Sequence, residues 1–363
     1  MNTLRRLAVD PSRRALLIAG GLGFVLLGAS QALYGPFYGV FRARFALSAT
    51  EVSLVTAVHF AGATIAVSTS GFLTRRFGAL VIVRIAIFVL GAGLLGVGLG
   101  FSWPFVLASA AVVGLGFGGL VTINFLIARV FGADSPAALN ALNSMFGVGA
   151  VLAPVASAPL VELGTHTPVF AGTAALALSL AIYLTFTRRL ETEEAPTRER
   201  DRGRLGSYVF PVFGFVILYL FYMGSEASLG NWIPTHLTPA YGPGAAARFA
   251  GLFWLALTAG RIAAAPVSLR LSPGQLVSWT VVMGVVASVA ASAVAVAPLA
   301  YVAAGFFCGP VFPGGLAWIR RRFPEAADEI SSVVLAVGGI GPVAARPVIG
   351  AAVDAYGVAA IPV

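Results

Sequence analysis

The sequence contains no lysine, a single cysteine and few charges of either sign. All 23 basic residues are arginines, and charged residues make up 10% of the chain, against about 25% in soluble domains. Because Cys308 is the one cysteine, an intrachain disulfide is excluded. Apolar residues make up 58% of the chain, against about 45–50% in soluble domains. This composition excludes an ordinary soluble domain.

The chain also lacks the short motifs of common enzyme classes. It has no H-E-x-x-H zinc motif, no cysteine pair, no G-x-S-x-G nucleophile motif and no Walker-type phosphate loop. Its three histidines, His59, His166 and His236, are dispersed along the sequence. We therefore predict that the protein is not an enzyme, binds no cofactor or metal, and does not use ATP itself.

In place of such motifs, the sequence has eleven long apolar runs. Each is near the roughly 20 residues that a helix needs to cross about 30 Å of hydrocarbon. Runs this long and this rich in Leu, Val and Ala satisfy their own backbone hydrogen bonds as helices. The sequence therefore predicts an all-α polytopic membrane protein. The predicted spans are 15–41, 50–74, 79–101, 103–131, 137–163, 168–187, 207–233, 246–269, 274–295, 296–319 and 328–355.

Arginines are concentrated in alternate connections between these spans. They precede the first span and follow the second, fourth, sixth, eighth and tenth, whereas the other connections hold little beyond Arg42, Arg44 and Arg248. The positive-inside rule then places the N-terminus in the cytoplasm of a multi-pass protein of the inner or plasma membrane. Because the net charge of +9 follows this pattern, we expect a lipid bilayer and no nucleic acid as its partner.

Cysteine labelling tests this topology. With Cys308 replaced, a cysteine at Thr197 should resist membrane-impermeant reagents in intact cells. A cysteine at Thr165, between the fifth and sixth spans, should react, because the two positions are predicted to lie on opposite sides of the membrane. The reverse labelling pattern would show that the predicted topology is inverted.

A polar stretch divides the chain into two halves that resemble each other. The predicted domains are an N-terminal six-helix half, 1–187, a cytoplasmic linker, 188–206, and a C-terminal half, 207–363. Pro154 of the fifth span recurs as Pro347 of the eleventh, 193 residues later. This offset indicates a duplicated six-helix unit. The same offset places a twelfth helix near 361–380. We therefore expect either a truncated last helix or a number of membrane helices other than twelve.

Two six-helix halves joined by a basic linker resemble the major facilitator superfamily. The segment GFLTRRFG after the second span is similar to the family's G-x-L-a-D-R-x-G signature. Arg75 stands where the family has aspartate, so the acidic partner for a neighbouring helix end is absent. The resemblance implies the major facilitator fold and gating roles for arginines near the cytoplasmic face, with Arg76 and Arg321 biasing opening. The gating candidates are Gly71, Arg75, Arg76, Gly78, Arg261 and Arg321.

Polar residues inside the spans are the candidates for substrate binding or coupling, because a polar group at membrane depth is costly. Glu226 is the clearest acid, in a segment similar to the seventh helix of sugar-permease-like members of the superfamily, including fucose/proton symporters. Arg346 lies at a similar depth, and we expect it to pair with Glu226 or to meet an anionic substrate. The remaining candidates are Gln31, Tyr34, His59, Asn124, Asn231 and Trp232.

The resemblance implies a secondary transporter that moves a small-molecule substrate by rocking its two halves about a central site. The Glu226 segment and the scattered amide and hydroxyl groups favour proton-coupled symport of a small polar, sugar-like solute by a monomer. The alternative is proton-coupled efflux of amphipathic drugs or organic anions, which the Gly/Pro-rich fifth span also fits. A non-transporting scaffold or receptor is a third interpretation, and the charges of Glu226 and Arg346 argue against it.

Overall fold

The computed structural model describes residues 11–132, 135–186 and 209–362. Within these residues the secondary structure is helical, without β-strands. Eleven segments are long and apolar enough to cross a membrane, which confirms the prediction of an all-α polytopic protein. The predicted linker, 188–206, lies outside the described residues.

The first six spans contain eight α-helices, and the last five contain seven. The first group is α1 Pro11–Ala32, α2 Tyr38–Phe45, α3 Ala49–Phe77, α4 Ala79–Leu99, α5 Trp103–Leu120, α6 Ile123–Phe131, α7 Ser135–Glu162 and α8 Thr167–Phe186. The second group is α9 Val209–Tyr241, α10 Pro243–Val267, α11 Pro273–Ala290, α12 Ala297–Cys308, α13 Val311–Arg322, α14 Ala327–Gly338 and α15 Ile340–Tyr356.

Four spans consist of two helices rather than one. The first is interrupted by a 3₁₀ turn at Gly35–Phe37, between α1 and α2. The others are interrupted between α5 and α6, between α12 and α13, and between α14 and α15. In the tenth span the interruption falls at Gly309 and Pro310, where proline has no N–H to continue the helical hydrogen bonds.

The seventh span is longer than the sequence predicts. The predicted end at 233 is the residue before Pro234, yet α9 continues through Pro234 and Pro239 to Tyr241. Ile233 and Leu237 are fully buried, so packing keeps these turns helical although each proline removes a backbone hydrogen bond. The predicted end of this span was therefore wrong by eight residues.

The chain forms two compact units that do not follow sequence order strictly. Unit 1 comprises residues 1–34 and 58–197, and unit 2 comprises residues 35–57 and 198–363. The segment 35–57 precedes the polar linker in sequence, yet it packs with the C-terminal spans. The helix α3 therefore begins in unit 2 and continues into unit 1.

Small residues allow the helices of unit 1 to pack backbone to backbone. At the crossing of α1 and α7, a Cβ added at Gly28 would overlap the carbonyl oxygen of Phe146, and one added at Gly149 would overlap that of Val25. Gly114 of α5 lies in the same way against the carbonyl of His59 on α3. The glycine-rich run of α5 is thus a packing surface, as expected for glycines inside a membrane span.

Unit 2 combines similar crossings with an aromatic core. The helices α10 and α12 approach closely at Gly260 and Gly305, where an added Cβ would overlap the carbonyl oxygens of Phe306 and Phe253. At one end of α9, Tyr219 is fully buried in a cluster with residues of α13 and α14. These contacts hold α9 between its neighbours and orient its polar residues.

Candidate functional site

An ion pair joins two spans of unit 2. Oε1 of Glu226 on α9 lies 3.8 Å from Nη2 of Arg261 on α10, and their side chains are 13% and 31% exposed. Tyr222, one helical turn before Glu226, donates its hydroxyl hydrogen bond to the carboxylate. In the described part of the chain, Nε of Arg261 is buried without a hydrogen-bond partner. The pair is therefore close enough to attract, but it leaves one buried donor of Arg261 without a hydrogen bond.

Arg346 does not pair with Glu226, so this part of the expectation was wrong, whereas a contact with an anionic substrate stays a prediction. From α15, Nη1 of Arg346 donates to the carbonyl of Pro342 at 2.7 Å, and Nη2 donates to the carbonyl of Ala227 at 3.1 Å. The physical reason is that α9 packs against both α10 and α15. Glu226 faces α10, where Arg261 neutralises it, whereas the fully buried Arg346 reaches the backbone of α9 from α15.

Asn231 and Trp232 contact the segment 35–57 within unit 2. Oδ1 of Asn231 accepts a hydrogen bond from the backbone N–H of Gly35 at 3.0 Å. The ring of Trp232 packs edge-on against Tyr38 with centroids 5.0 Å apart, and the hydroxyls of Tyr38 and Thr56 are 2.7 Å apart. An added Cβ at Gly35 would lie 2.5 Å from backbone atoms of Asn231. Both predicted residues therefore anchor this segment.

Besides Nε of Arg261, three further buried donors of α9 and α10 have no hydrogen-bond partner among the described residues. They are the hydroxyl of Ser228 and the indole N–H groups of Trp232 and Trp254. A buried donor left unsatisfied costs about 1–3 kcal/mol. Such donors are suited to a polar ligand, so this part of unit 2 has hydrogen-bonding capacity that the protein itself does not use.

In unit 1 the structure brings two of the four predicted polar residues together. The hydroxyl of Tyr34 and Nδ1 of His59 are 3.3 Å apart, with their rings nearly perpendicular. Asn124 instead donates to the carbonyl of Val121 at 3.1 Å, beside the interruption between α5 and α6. Gln31 is buried in α1. A binding role for these residues stays a prediction.

The segment 71–78, which resembles the superfamily's signature sequence, is almost entirely helical rather than a loop. Residues up to Phe77 complete α3, and Gly78 alone connects it to α4. Gly78 has φ +83°, a left-handed conformation that favours glycine. The exposed Arg76 lies over the ring of Phe77, 5.5 Å from its centroid. Arg321 is exposed in the last turn of α13, and the gating roles stay predictions.

Sequence reasoning missed Asp354, which is near the end of α15. Its carboxylate accepts hydrogen bonds from the backbone N–H groups of Ala49 and Thr50, at 2.7 and 2.8 Å. The hydroxyl of Thr50 donates a third bond at 2.6 Å. One signal was present, because an acid near the end of an apolar span is uncommon and requires a partner.

Comparison with known proteins identifies the family. Residues 20–304 match the profile of the Major Facilitator Superfamily. The chain belongs to this superfamily. The probable nitrate/nitrite transporter NarK2 of Mycobacterium tuberculosis is 27% identical over 341 residues, which cover 89% of this chain and 85% of that protein.

Solved structures of the superfamily share the fold. A bacterial homolog to the human lysosomal transporter Spinster, in an inward-facing and occupied conformation, matches with a TM-score of 0.79 and 18% identity, over 96% of this chain and 83% of that chain. The fucose:proton symporter FucP of E. coli matches with a TM-score of 0.62 and 14% identity, over 95% of this chain and 94% of that chain.

Membership of the Major Facilitator Superfamily confirms the general prediction from the sequence. The chain is a multi-pass membrane protein and a secondary transporter that works by alternating access, and it is not an enzyme. In such transporters the solute site lies near the bilayer midplane, where discontinuous helices and polar groups meet.

Proposed function

We propose that this transporter couples solute movement to protons through Glu226 and Arg261. The observation that carries the proposal is the ion pair between them, 3.8 Å long and partly exposed, inside two membrane spans. Charged residues at such a depth are expensive and are retained mainly for transport or coupling. The pair is incompletely buried, so the protein does not enclose it on every side.

The coupling follows from competition for Arg261. A solute oxygen that binds the exposed part of the Arg261 guanidinium weakens the pair and leaves the Glu226 carboxylate without its cation. A carboxylate in a poorly solvated site is then neutralised by a proton from the side that is open to water. When the solute leaves on the other side, Glu226 returns the proton to water and pairs with Arg261 again.

A small oxygen-rich anion is the first candidate substrate. Arg261 offers a planar, partly exposed guanidinium, and guanidinium matches anions with two oxygens particularly well. NarK2, which is 27% identical, is described as a probable nitrate/nitrite transporter. Both observations favour nitrate or nitrite over the sugar-like solute that the sequence predicts.

A small polar, sugar-like solute is the second candidate. It is supported by the buried unpartnered donors of Ser228, Trp232 and Trp254, which suit hydroxyl acceptors. The fold likeness to the fucose:proton symporter FucP is in accord with it. For either substrate we propose symport by a monomer in an inner or plasma membrane, and the alternation of arginines along the chain supports a cytoplasmic N-terminus.

Proton flux in liposomes tests the proposal. Purified protein is reconstituted in vesicles that contain a pH-sensitive dye, and nitrate, nitrite, L-fucose and D-xylose are added separately without a pH gradient. We expect the lumen to become acidic when nitrate or nitrite is added but not when a sugar is added, because inward movement of the transported solute brings protons with it. Acidification with the sugars alone would support the second candidate. Solute uptake without any pH change would exclude proton coupling.

A further inference from the structure

One face of α11 changes from polar to apolar along the helix. An open groove of about 440 Å³ follows this face, lined by Gly274, Gln275, Ser278, Trp279 and Val282. Trp279 and Val282 are 64% and 54% exposed. Val286 and Val289 continue the same face at helical spacing, and both are exposed as well. The groove therefore begins between polar side chains and runs onto an apolar surface.

The helix α13 borders the groove at its polar end. A Cβ added at Gly274 would lie 2.9 Å from Cε2 of Trp318, so glycine lets this indole ring pack directly on α11. Phe215 of α9 contacts the ring of Trp318 edge-on, with centroids 5.0 Å apart. Arg321 follows Trp318 by three residues and shares its face of α13. An arginine of α13 is thus placed beside the polar end of the groove.

A second arginine stands at the same end. Arg270 is exposed and precedes Gly274 by four residues, and Arg321 is exposed too. Within the described residues neither of these arginines forms an ion pair, whereas Arg320 lies 3.9 Å from Asp328. The residues that line the groove include no acid. The polar end therefore carries positive charge that no lining carboxylate neutralises.

Gln275 adds a neutral donor that is held in place. Its Oε1 accepts hydrogen bonds from the backbone N–H and the hydroxyl of Ser272, at 3.0 and 2.9 Å. This capping box fixes the glutamine side chain at the start of α11. With Oε1 occupied, the amide Nε2 remains as a donor. Two guanidinium groups and this amide are suited to the oxygens of a phosphate, which accept hydrogen bonds.

We propose that an anionic phospholipid occupies the groove, with its phosphate between Arg270 and Arg321 and an acyl chain along Trp279 and Val282. A lipid fits better than a soluble ligand because the apolar part of the groove belongs to a membrane span. Charge selects the headgroup, since a zwitterionic lipid would bring its own cation beside two arginines. An exposed tryptophan near the end of a span is also typical of the membrane interface. The lipid binds whatever the solute and whether or not protons are coupled.

Fluorescence quenching by brominated lipids tests this site without any solute. The protein is reconstituted in phosphatidylcholine vesicles that contain increasing fractions of phosphatidylglycerol, or of phosphatidylcholine, with brominated acyl chains. Subtraction of the emission of Trp279→Phe isolates the emission of Trp279. We expect brominated phosphatidylglycerol to give half-maximal quenching at a fraction about tenfold or more lower than brominated phosphatidylcholine, because each arginine contributes about a fivefold preference.

Matched variants separate this groove from a general attraction of anionic lipid to arginines. Arg270→Gln and Arg321→Gln should each raise the half-quenching fraction of phosphatidylglycerol by about fivefold. Arg248→Gln removes an exposed arginine near the opposite end of α10 and should leave that fraction unchanged. Ser278→Phe fills the groove without a change of charge and should also raise it. All four positions are exposed, so we expect melting temperatures near that of the parent.

Three results would overturn the proposal. The first is an equal half-quenching fraction for the two brominated lipids in the parent. The second is a parental value in both Arg270→Gln and Arg321→Gln. The third is a parental value in Ser278→Phe, because the lipid would then be attracted by surface charge alone and would not use the groove.

Discussion

Glu226→Gln should abolish proton-driven accumulation of the solute while exchange without a proton gradient continues. Glutamine keeps the size of the side chain and accepts the hydrogen bond from Tyr222, but it cannot carry a proton or neutralise Arg261. We expect accumulation in vesicles with an imposed pH gradient to fall to the background level. Counterflow of labelled solute, with equal pH on both sides, measures the exchange that should persist.

Two comparisons make this prediction specific to the ion pair. Glu162→Gln removes an exposed carboxylate of unit 1 and should accumulate solute like the parent. Arg261→Gln strands the Glu226 carboxylate, so the double variant with Glu226→Gln should fold better than Arg261→Gln alone. Accumulation by Glu226→Gln at the parental level would remove Glu226 from the coupling mechanism and leave it as a structural partner of Arg261.

The largest loss of stability is expected from Gly149→Leu on α7. A Cβ at Gly149 would overlap the carbonyl oxygen of Val25 and lie 2.9 Å from the backbone nitrogen of Ala29. Backbone atoms of α1 cannot rotate away as a side chain can, so α1 and α7 must separate. Overpacking typically costs about 1–3 kcal/mol, and we expect a value at or above the upper end. Thermal unfolding in detergent measures the loss.

Gly172→Leu provides the matched control for this substitution. Gly172 lies in α8 of the same unit, and nothing lies within 4 Å of a Cβ added there. The same change from glycine to leucine should therefore leave the melting temperature near that of the parent. Equal losses at the two positions would show that the effect comes from leucine itself and not from the crossing of α1 and α7.

The number of spans was predictable because each span satisfies its own backbone and is apolar along its length. The eleven predicted segments all appear. The end of α9 was not predictable, because a proline at a position such as Pro234 usually ends a helix. Only the burial of its neighbours, Ile233 and Leu237, keeps the helix intact beyond it.

The partners of the polar residues depended on distances that the sequence does not contain. From depth alone, Arg346 was the expected partner for Glu226, because Arg261 was predicted to lie nearer the cytoplasmic face. The orientation of α9 decided between them: Glu226 faces α10, and α15 contacts α9 elsewhere. Asp354 was missed for the same reason, since its partners at Ala49 and Thr50 belong to the start of α3.

By itself, the sequence determined that this chain is a polytopic helical membrane protein that resembles the major facilitator superfamily. Composition, span length and short signatures are local properties, and they are sufficient for that conclusion. Only the tertiary structure decided which charges pair and that the segment 35–57 packs with the C-terminal spans. Those results depend on the rotation of each helix about its axis and on close approach at glycines, which the packing of all the spans sets together.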